Sequence, residues 1–131
     1  MESYKDLKAW QLGMDLVDAA YRAIERLPTN EMYVLGAQIR KAANSIPSNI
    51  AEGKGRRTLR DYRHFVIQAR GSAYELETEV LIANRQQFFE ADITETLCSR
   101  IAETCKAING LIGYLDRKIG DFDHGTLTPE T

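Results

Sequence analysis

Eight cations fall between residues 40 and 70: Arg40, Lys41, Lys54, Arg56, Arg57, Arg60, Arg63 and Arg70. Two acids, Glu52 and Asp61, share the span, so eight positive charges against two negative leave it at +6. The chemistry such a set offers is phosphate binding. Arginine predominates, and its planar fork can bond two phosphate oxygens at once. Residues 1–37 carry −2 and residues 71–131 carry −6, so the near-neutral total of −2 conceals a polarised chain. A positive middle between acidic flanks points first to nucleic acid. It equally fits subunits that mate basic turn to acidic half in an oligomer, and the residues alone leave both readings open.

Other chemistries find less support. Glu75 and Glu79 share a helical face, but no Glu-x-x-His pattern accompanies them and the chain has two histidines, His64 and His124; a solvated or intersubunit acidic face is the expectation, with no metal and no cofactor. Ser45, Ser48, Ser72, Cys98 and Cys105 have no base and orienting group nearby in sequence, as nucleophilic catalysis requires. Gly53-Lys54-Gly55 is too short for a phosphate-cradling loop. A nuclease built from Glu52, Arg63 and His64 is the remaining enzymatic possibility, and the reading is against an enzyme.

At 131 residues, 44% hydrophobic and 27% charged, the chain suits one soluble domain with a real core. Its first residues carry acids and no apolar run, unlike a secretory leader, and no stretch is long enough to span a bilayer. Cys98 and Cys105, seven apart on a helical pattern, lie about 10 Å apart along the axis, too far for a mutual disulfide. Reduced packing cysteines in a cytoplasmic protein are expected.

The elements that must position the cations are helices. Leu7, Trp10, Met14, Val17, Tyr21 and Ile24 repeat at 3 and 4, the seam of a first helix over about residues 4–27, started by Ser3 and ended at Leu27-Pro28. Met32, Leu35, Ile39, Ala42, Ile46 and Ile50 define a second over about 30–53. Pro47 interrupts it, yet Ile50 stays in phase with Ile46, so a kink with the helix resuming is expected rather than a stop. Ser45, Ser48 and Asn49 are placed to bond the backbone carbonyls that the proline frees, and Glu52 to anchor the turn through Arg56 or Arg60. Gly53 and Gly55 are expected to cap the end.

Thr58 and Asp61 resemble a capping box opening a third helix over about 58–88. Its seam is Leu59, Tyr62, Val66, Ala69, Ala73, Leu76, Val80 and Ala83. At about 100° per residue, Arg60, Arg63 and Arg70 fall on one flank of that helix, facing outward. Asp92 and Glu95 form another capping pair before a fourth helix over about 92–119, with its seam at Ile93, Leu97, Ile101, Cys105, Ile108, Ile112, Leu115 and Ile119. Residues 120–131 lack a period and are expected to form a flexible tail. The expected fold is all-α, an antiparallel up-down-up-down four-helix bundle over residues 1–119 with its second helix kinked at Pro47.

The block Ser45-Ile46-Pro47-Ser48-Asn49-Ile50-Ala51-Glu52-Gly53, followed by Lys54-Gly55-Arg56-Arg57, resembles the four-helix-bundle proteins encoded in bacterial 23S ribosomal RNA intervening sequences. Further likeness lies in Tyr4-Lys5-Asp6-Leu7-Lys8-Ala9-Trp10, in Gln38-Ile39-Arg40-Lys41-Ala42-Ala43, in Gly71-Ser72 and in Glu75-Leu76-Glu77-Thr78, so it covers nearly the whole chain. The resemblance implies a closed homopentamer of bundles and no known enzymatic activity. The family is also similar to the accessory protein of diversity-generating retroelements, which implies nucleic acid and a reverse transcriptase as possible partners. On that similarity Arg40, Lys41, Lys54, Arg56, Arg57, Arg60 and Arg63 are the positions to test for RNA contact, with Arg70 beside them. Ser45, Pro47, Asn49, Glu52 and Gly53 form the structural motif that carries them.

Overall fold

The computed structural model describes residues 3–123. Residues 124–131, which hold His124 and most of the expected tail, lie outside them. Among the described residues all regular structure is helical: α1 (Lys8–Ile24), α2 (Leu35–Lys54), α3 (Leu59–Arg85) and α4 (Ala91–Asp123), with short 3-10 turns at Tyr4–Asp6 and Thr29–Glu31. The four long helices pack as a four-helix bundle around one apolar core. Contacts between consecutive helices run in opposed residue order. Ile46 and Pro47 lie on Gly13 while Gly36 lies on Ile24 and Leu27, and Arg60, Arg63 and Arg70 meet Asp123, Asp116 and Asn109 in turn.

Local chemistry explains the helix ends. The Thr58 hydroxyl accepts the Asp61 N–H at 3.1 Å, as its position before the third seam predicts. Ser3 accepts the Lys5 N–H and starts the short Tyr4–Asp6 turn rather than α1 itself. α3 closes with Gln87 at φ 65°. The Phe88 N–H reaches the Ala83 carbonyl at 2.8 Å and the Gln87 N–H the Asn84 carbonyl at 2.9 Å, a paired closure that normally favours glycine at the left-handed residue. α4 begins one residue before the expected Asp92, whose carboxylate accepts its neighbour Ile93's N–H, and runs on to Asp123.

α2 continues through Pro47, which is buried and sits 3.5 Å from where a side chain at Gly13 would begin. The proline thus acts as a packing surface against α1. Gly53 does not act as a cap: it lies inside α2, and a Cβ there would meet the Phe65 Cβ at 2.9 Å and the Tyr62 carbonyl oxygen at 3.1 Å. Its missing side chain lets α2 and α3 approach closely. Gly55 is the residue that ends the helix.

The seams of α2 from Leu35 to Ile50 and of α3 from Tyr62 to Ala83 are buried as expected, with Met32 and Leu59 only partly buried, whereas the middle of the α1 seam is rotated. Leu7 and Ile24 at its two ends are buried as expected, but between them the core face is Ala9, Gly13, Leu16, Ala19, Ala20 and Ala23, while Met14 and Tyr21 stay 40% and 43% exposed. Small residues let the neighbouring helices come close, and packing distance wins over side-chain bulk. In α4 the interior position expected for Cys105 is taken by Thr104, whose hydroxyl donates to the Arg100 carbonyl at 2.8 Å and so enters the core satisfied. Cys98 and Cys105 are free and half-buried, and burial, with Glu77 nearby, pushes both thiols up from their ordinary pKa.

Candidate nucleic-acid interface

The α2–α3 turn gathers the densest cations. Lys54 ends α2, Arg56 and Arg57 occupy the turn, and Arg60 and Arg63 follow on α3. The close approach at Gly53 fixes where this turn leaves α2, and the Thr58 cap fixes where α3 starts. Two aromatic rings line its inner side: the Lys54 ammonium stands 5.8 Å from the Tyr62 ring centre and the Arg56 guanidinium 4.5 Å from that of Phe65. These contacts orient the long side chains and leave their donors available. Tyr62 is buried, and desolvation, with Tyr114 alongside, pushes its hydroxyl up to about 12, so it remains neutral.

Pairing divides the eight candidates. Arg60 contacts Asp123 at 2.5 Å and Arg63 contacts Asp116 at 2.5 Å. Arg70 donates to the Asn109 side chain at 3.0 Å. These three point along the α3–α4 groove, and for Arg60 and Arg63 the acids that meet them belong to the same chain. Arg40 stands apart near the start of α2, donating to the Met32 carbonyl at 3.2 Å. Arg56 keeps a loose 3.6 Å contact with Glu52, the anchoring role expected of that acid. Lys41 and Arg57 are exposed and have no hydrogen-bond or ion-pair partner among the described residues.

The +6 of the linear stretch is therefore reduced in space. Residues 52–63 and 116–123 together hold seven cations (Lys54, Arg56, Arg57, Arg60, Arg63, Arg117, Lys118) and five carboxylates (Glu52, Asp61, Asp116, Asp121, Asp123). The surplus is two positive charges, carried by a turn whose pairing is loose and by α3 arginines whose pairing is exposed and individually weak. Asp116, Asp123 and Asn109 are neighbours of these arginines that sequence spacing does not disclose, because they lie 39 to 63 residues from their partners.

The structural motif behind the turn is polar and satisfied. The Asn49 amide donates to the Ser45 carbonyl at 2.8 Å and to its hydroxyl at 2.9 Å, and the Ser45 and Ser72 hydroxyls meet at 2.6 Å across α2 and α3. Farther along α3, Glu79 departs from the solvated acidic face expected of it. It is 8% exposed, and its Oε1 lacks a hydrogen-bond partner. Desolvation, reinforced by Glu75, pushes its carboxyl up to about 7. No group of three or more His, Cys, Asp or Glu side chains able to hold a metal occurs among the described residues. No helix among the described residues is long and apolar enough to cross a membrane.

Comparison with known proteins fits this architecture. The family model of the 23S rRNA-intervening sequence protein matches residues 5–110. Among solved structures, a protein of unknown function from the S23 ribosomal protein family of Bacteroides thetaiotaomicron superposes with a TM-score of 0.73 at 20% identity, covering 79% of this chain and 97% of that one. No curated protein matches. The block at 45–53, the bundle and a family match across most of the chain agree: this chain belongs to the 23S rRNA-intervening sequence protein family.

Proposed function

We propose that the protein is a non-enzymatic, self-associating bundle that binds RNA or another structured nucleic acid through its phosphates. The contact surface is the α2–α3 turn and the adjoining flanks of α2 and α3. The observation that carries this reading is the state of the turn: Arg57 without a partner among the described residues, Lys54 and Arg56 held by aromatic faces, and Arg56 only loosely met by Glu52. Arginines presented this way meet phosphate with little reorganisation. Recognition follows shape and charge, because the rings that line the turn, Tyr62 and Phe65, are faced by Lys54 and Arg56 and are not open to stack a base. Asp116 and Asp123 hold Arg60 and Arg63 in place, and a phosphate must displace or share them.

Self-association is supported by apolar side chains left outside the bundle. Met14 and Tyr21 on α1 and Tyr74 and Leu81 on α3 are each seven apart, hence each pair lies on one helical face, and all four are 40% to 51% exposed. A ring of five is the assembly implied by the family resemblance, and it would multiply a weak single-site affinity through avidity. The alternative is an assembly module whose basic turn docks on protein acids, a reverse transcriptase among the possible partners.

The test is fluorescence anisotropy with a structured RNA, comparing the native protein with an Arg56→Ala/Arg57→Ala/Arg60→Ala variant, both sized by light scattering. Binding that the variant loses while keeping its assembly establishes the turn as the site. Equal binding by both proteins places the RNA elsewhere, and no binding by the native protein leaves the docking module.

A further inference from the structure

We propose that a cleft between α1 and α4, remote from the basic turn, binds the phosphate group of a small phosphate monoester. Arg22, Arg26 and Arg100 edge this cavity of about 230 Å³, whose floor is Ala19, Ala23, Ile93 and Leu97. Arg100 lies 23 residues before Asp123 on α4, about 35 Å along the helix axis. The two cationic regions are therefore separate.

The three guanidinium groups come from the last turn of α1, the residues just after it, and the middle of α4's first half. None has a side-chain hydrogen bond or ion pair among the described residues. The carbonyl end of α1 favours positive charge nearby, which accounts for Arg22 and Arg26 standing unpaired. No such field supports Arg100, which is half-buried beside them. Asp92 also lines the cleft, but its carboxylate accepts the Ile93 N–H at 2.9 Å within α4's first turn. Three cations against one carboxylate leave the lining of the cleft two charges positive, and their forks suit phosphate oxygens.

The surroundings set the size of the ligand. Along α4, Glu95 and Glu103 border the shallow groove that continues past Arg100, so a long polyanion leaving the cleft in that direction meets like charge. The cavity lies below the usual range of ligand pockets, about 300–1,000 Å³. A single phosphate monoester, its nearest carbons resting on the alanine, isoleucine and leucine side chains, matches both limits. Such a group occurs on a free mononucleotide and at the 5′ end of an RNA chain.

The experiment is calorimetric titration of the full chain with adenosine 5′-monophosphate and with adenosine, repeated on an Arg22→Gln/Arg100→Gln variant. Glutamine keeps a polar side chain at the exposed Arg22 and the half-buried Arg100, and circular dichroism verifies that the fold is kept. The nucleotide should bind saturably and adenosine should not, and the variant should lose about tenfold or more in affinity. Two short RNAs differing only in a 5′-phosphate or 5′-hydroxyl separate the sources: discrimination that the variant abolishes assigns the chain end, and its absence alongside nucleotide binding assigns the free monoester. An Arg56→Ala/Arg57→Ala protein should bind the nucleotide unchanged, so this site and the basic turn stand or fall separately. Failure of both the nucleotide and the 5′-phosphorylated RNA, or binding indifferent to Arg22 and Arg100, overturns the proposal.

Discussion

Replacing Gly53 with alanine tests whether the α2–α3 contact positions the basic turn. The new Cβ would stand 2.9 Å from the Phe65 Cβ, 3.1 Å from the Tyr62 carbonyl oxygen and 3.1 Å from Tyr62 Cδ1. The first two neighbours are fixed by the α3 backbone, and only the Tyr62 ring can turn aside. The helices must separate by some tenths of an ångström, an overpacking cost of about 1–3 kcal/mol. Gaining alanine's helix propensity returns at most about 1 kcal/mol, and less near a helix end. The expected result is a loss of about 1–2 kcal/mol, or roughly 3–7 °C in Tm for a domain of this size. Thermal and urea unfolding followed by circular dichroism measure it. Gly71→Ala on α3 supplies the control: nothing lies within 4 Å of its added methyl, so only propensity acts and stability rises by up to about 1 kcal/mol. The turn that carries Lys54, Arg56 and Arg57 shifts with α2, so Gly53→Ala should also weaken RNA binding, whereas Gly71→Ala should not. Equal or greater stability for Gly53→Ala would refute the close-approach argument.

Four further outcomes are expected. Glu79→Gln should stabilise the protein at pH 8 and flatten its pH dependence. With a folded pKa of about 7 against an ordinary 4.5, the native state holds the extra proton between those values, so stability falls as pH rises through that window in the native protein and not in the variant, as melting at pH 5 to 8 reads out. Gln87→Gly should raise stability by about 0.5–1 kcal/mol, because the residue at φ 65° strains any side chain bearing a Cβ; an unchanged or lower Tm contradicts that geometry. Thr58→Ala should cost about 1 kcal/mol through the lost cap on the Asp61 N–H, measured by urea unfolding. Asp116→Asn together with Asp123→Asn should tighten RNA binding, since it frees Arg63 and Arg60, while costing little stability because both pairs are exposed.

The seams of α2 and α3 could be read from sequence because isoleucine, valine and leucine dominate their interior and keep one phase. α1 could not be read the same way. Apart from Leu16 and Ile24 its interior is alanine and glycine, whose small size matters through helix separation rather than hydropathy, and the bulkier Met14 and Tyr21 drew the predicted face toward solvent. Thr104 was invisible for a related reason: its hydroxyl is hidden by its own helix's carbonyl, so a polar residue behaves as an apolar one. Gly53 looked like a cap from its place at the helix end, while the contact that requires it comes from α3. The cations themselves were evident from composition. What composition could not supply was their pairing, since Asp116 and Asp123 reach Arg63 and Arg60 only through the α3–α4 packing. The cleft at Arg22, Arg26 and Arg100 was hidden likewise, because it joins residues from the first and last helices.

Phosphate binding by the turn is read out by the salt dependence of RNA affinity. Each phosphate neutralised releases counterions, so the slope of log affinity against log salt counts contacts. The native protein is expected to show a steep negative slope, equivalent to about three to five phosphates per subunit, and Arg56→Ala/Arg57→Ala/Arg60→Ala a slope shallower by about two to three. A slope that is the same in both proteins, or an affinity indifferent to salt, would contradict phosphate binding by the turn.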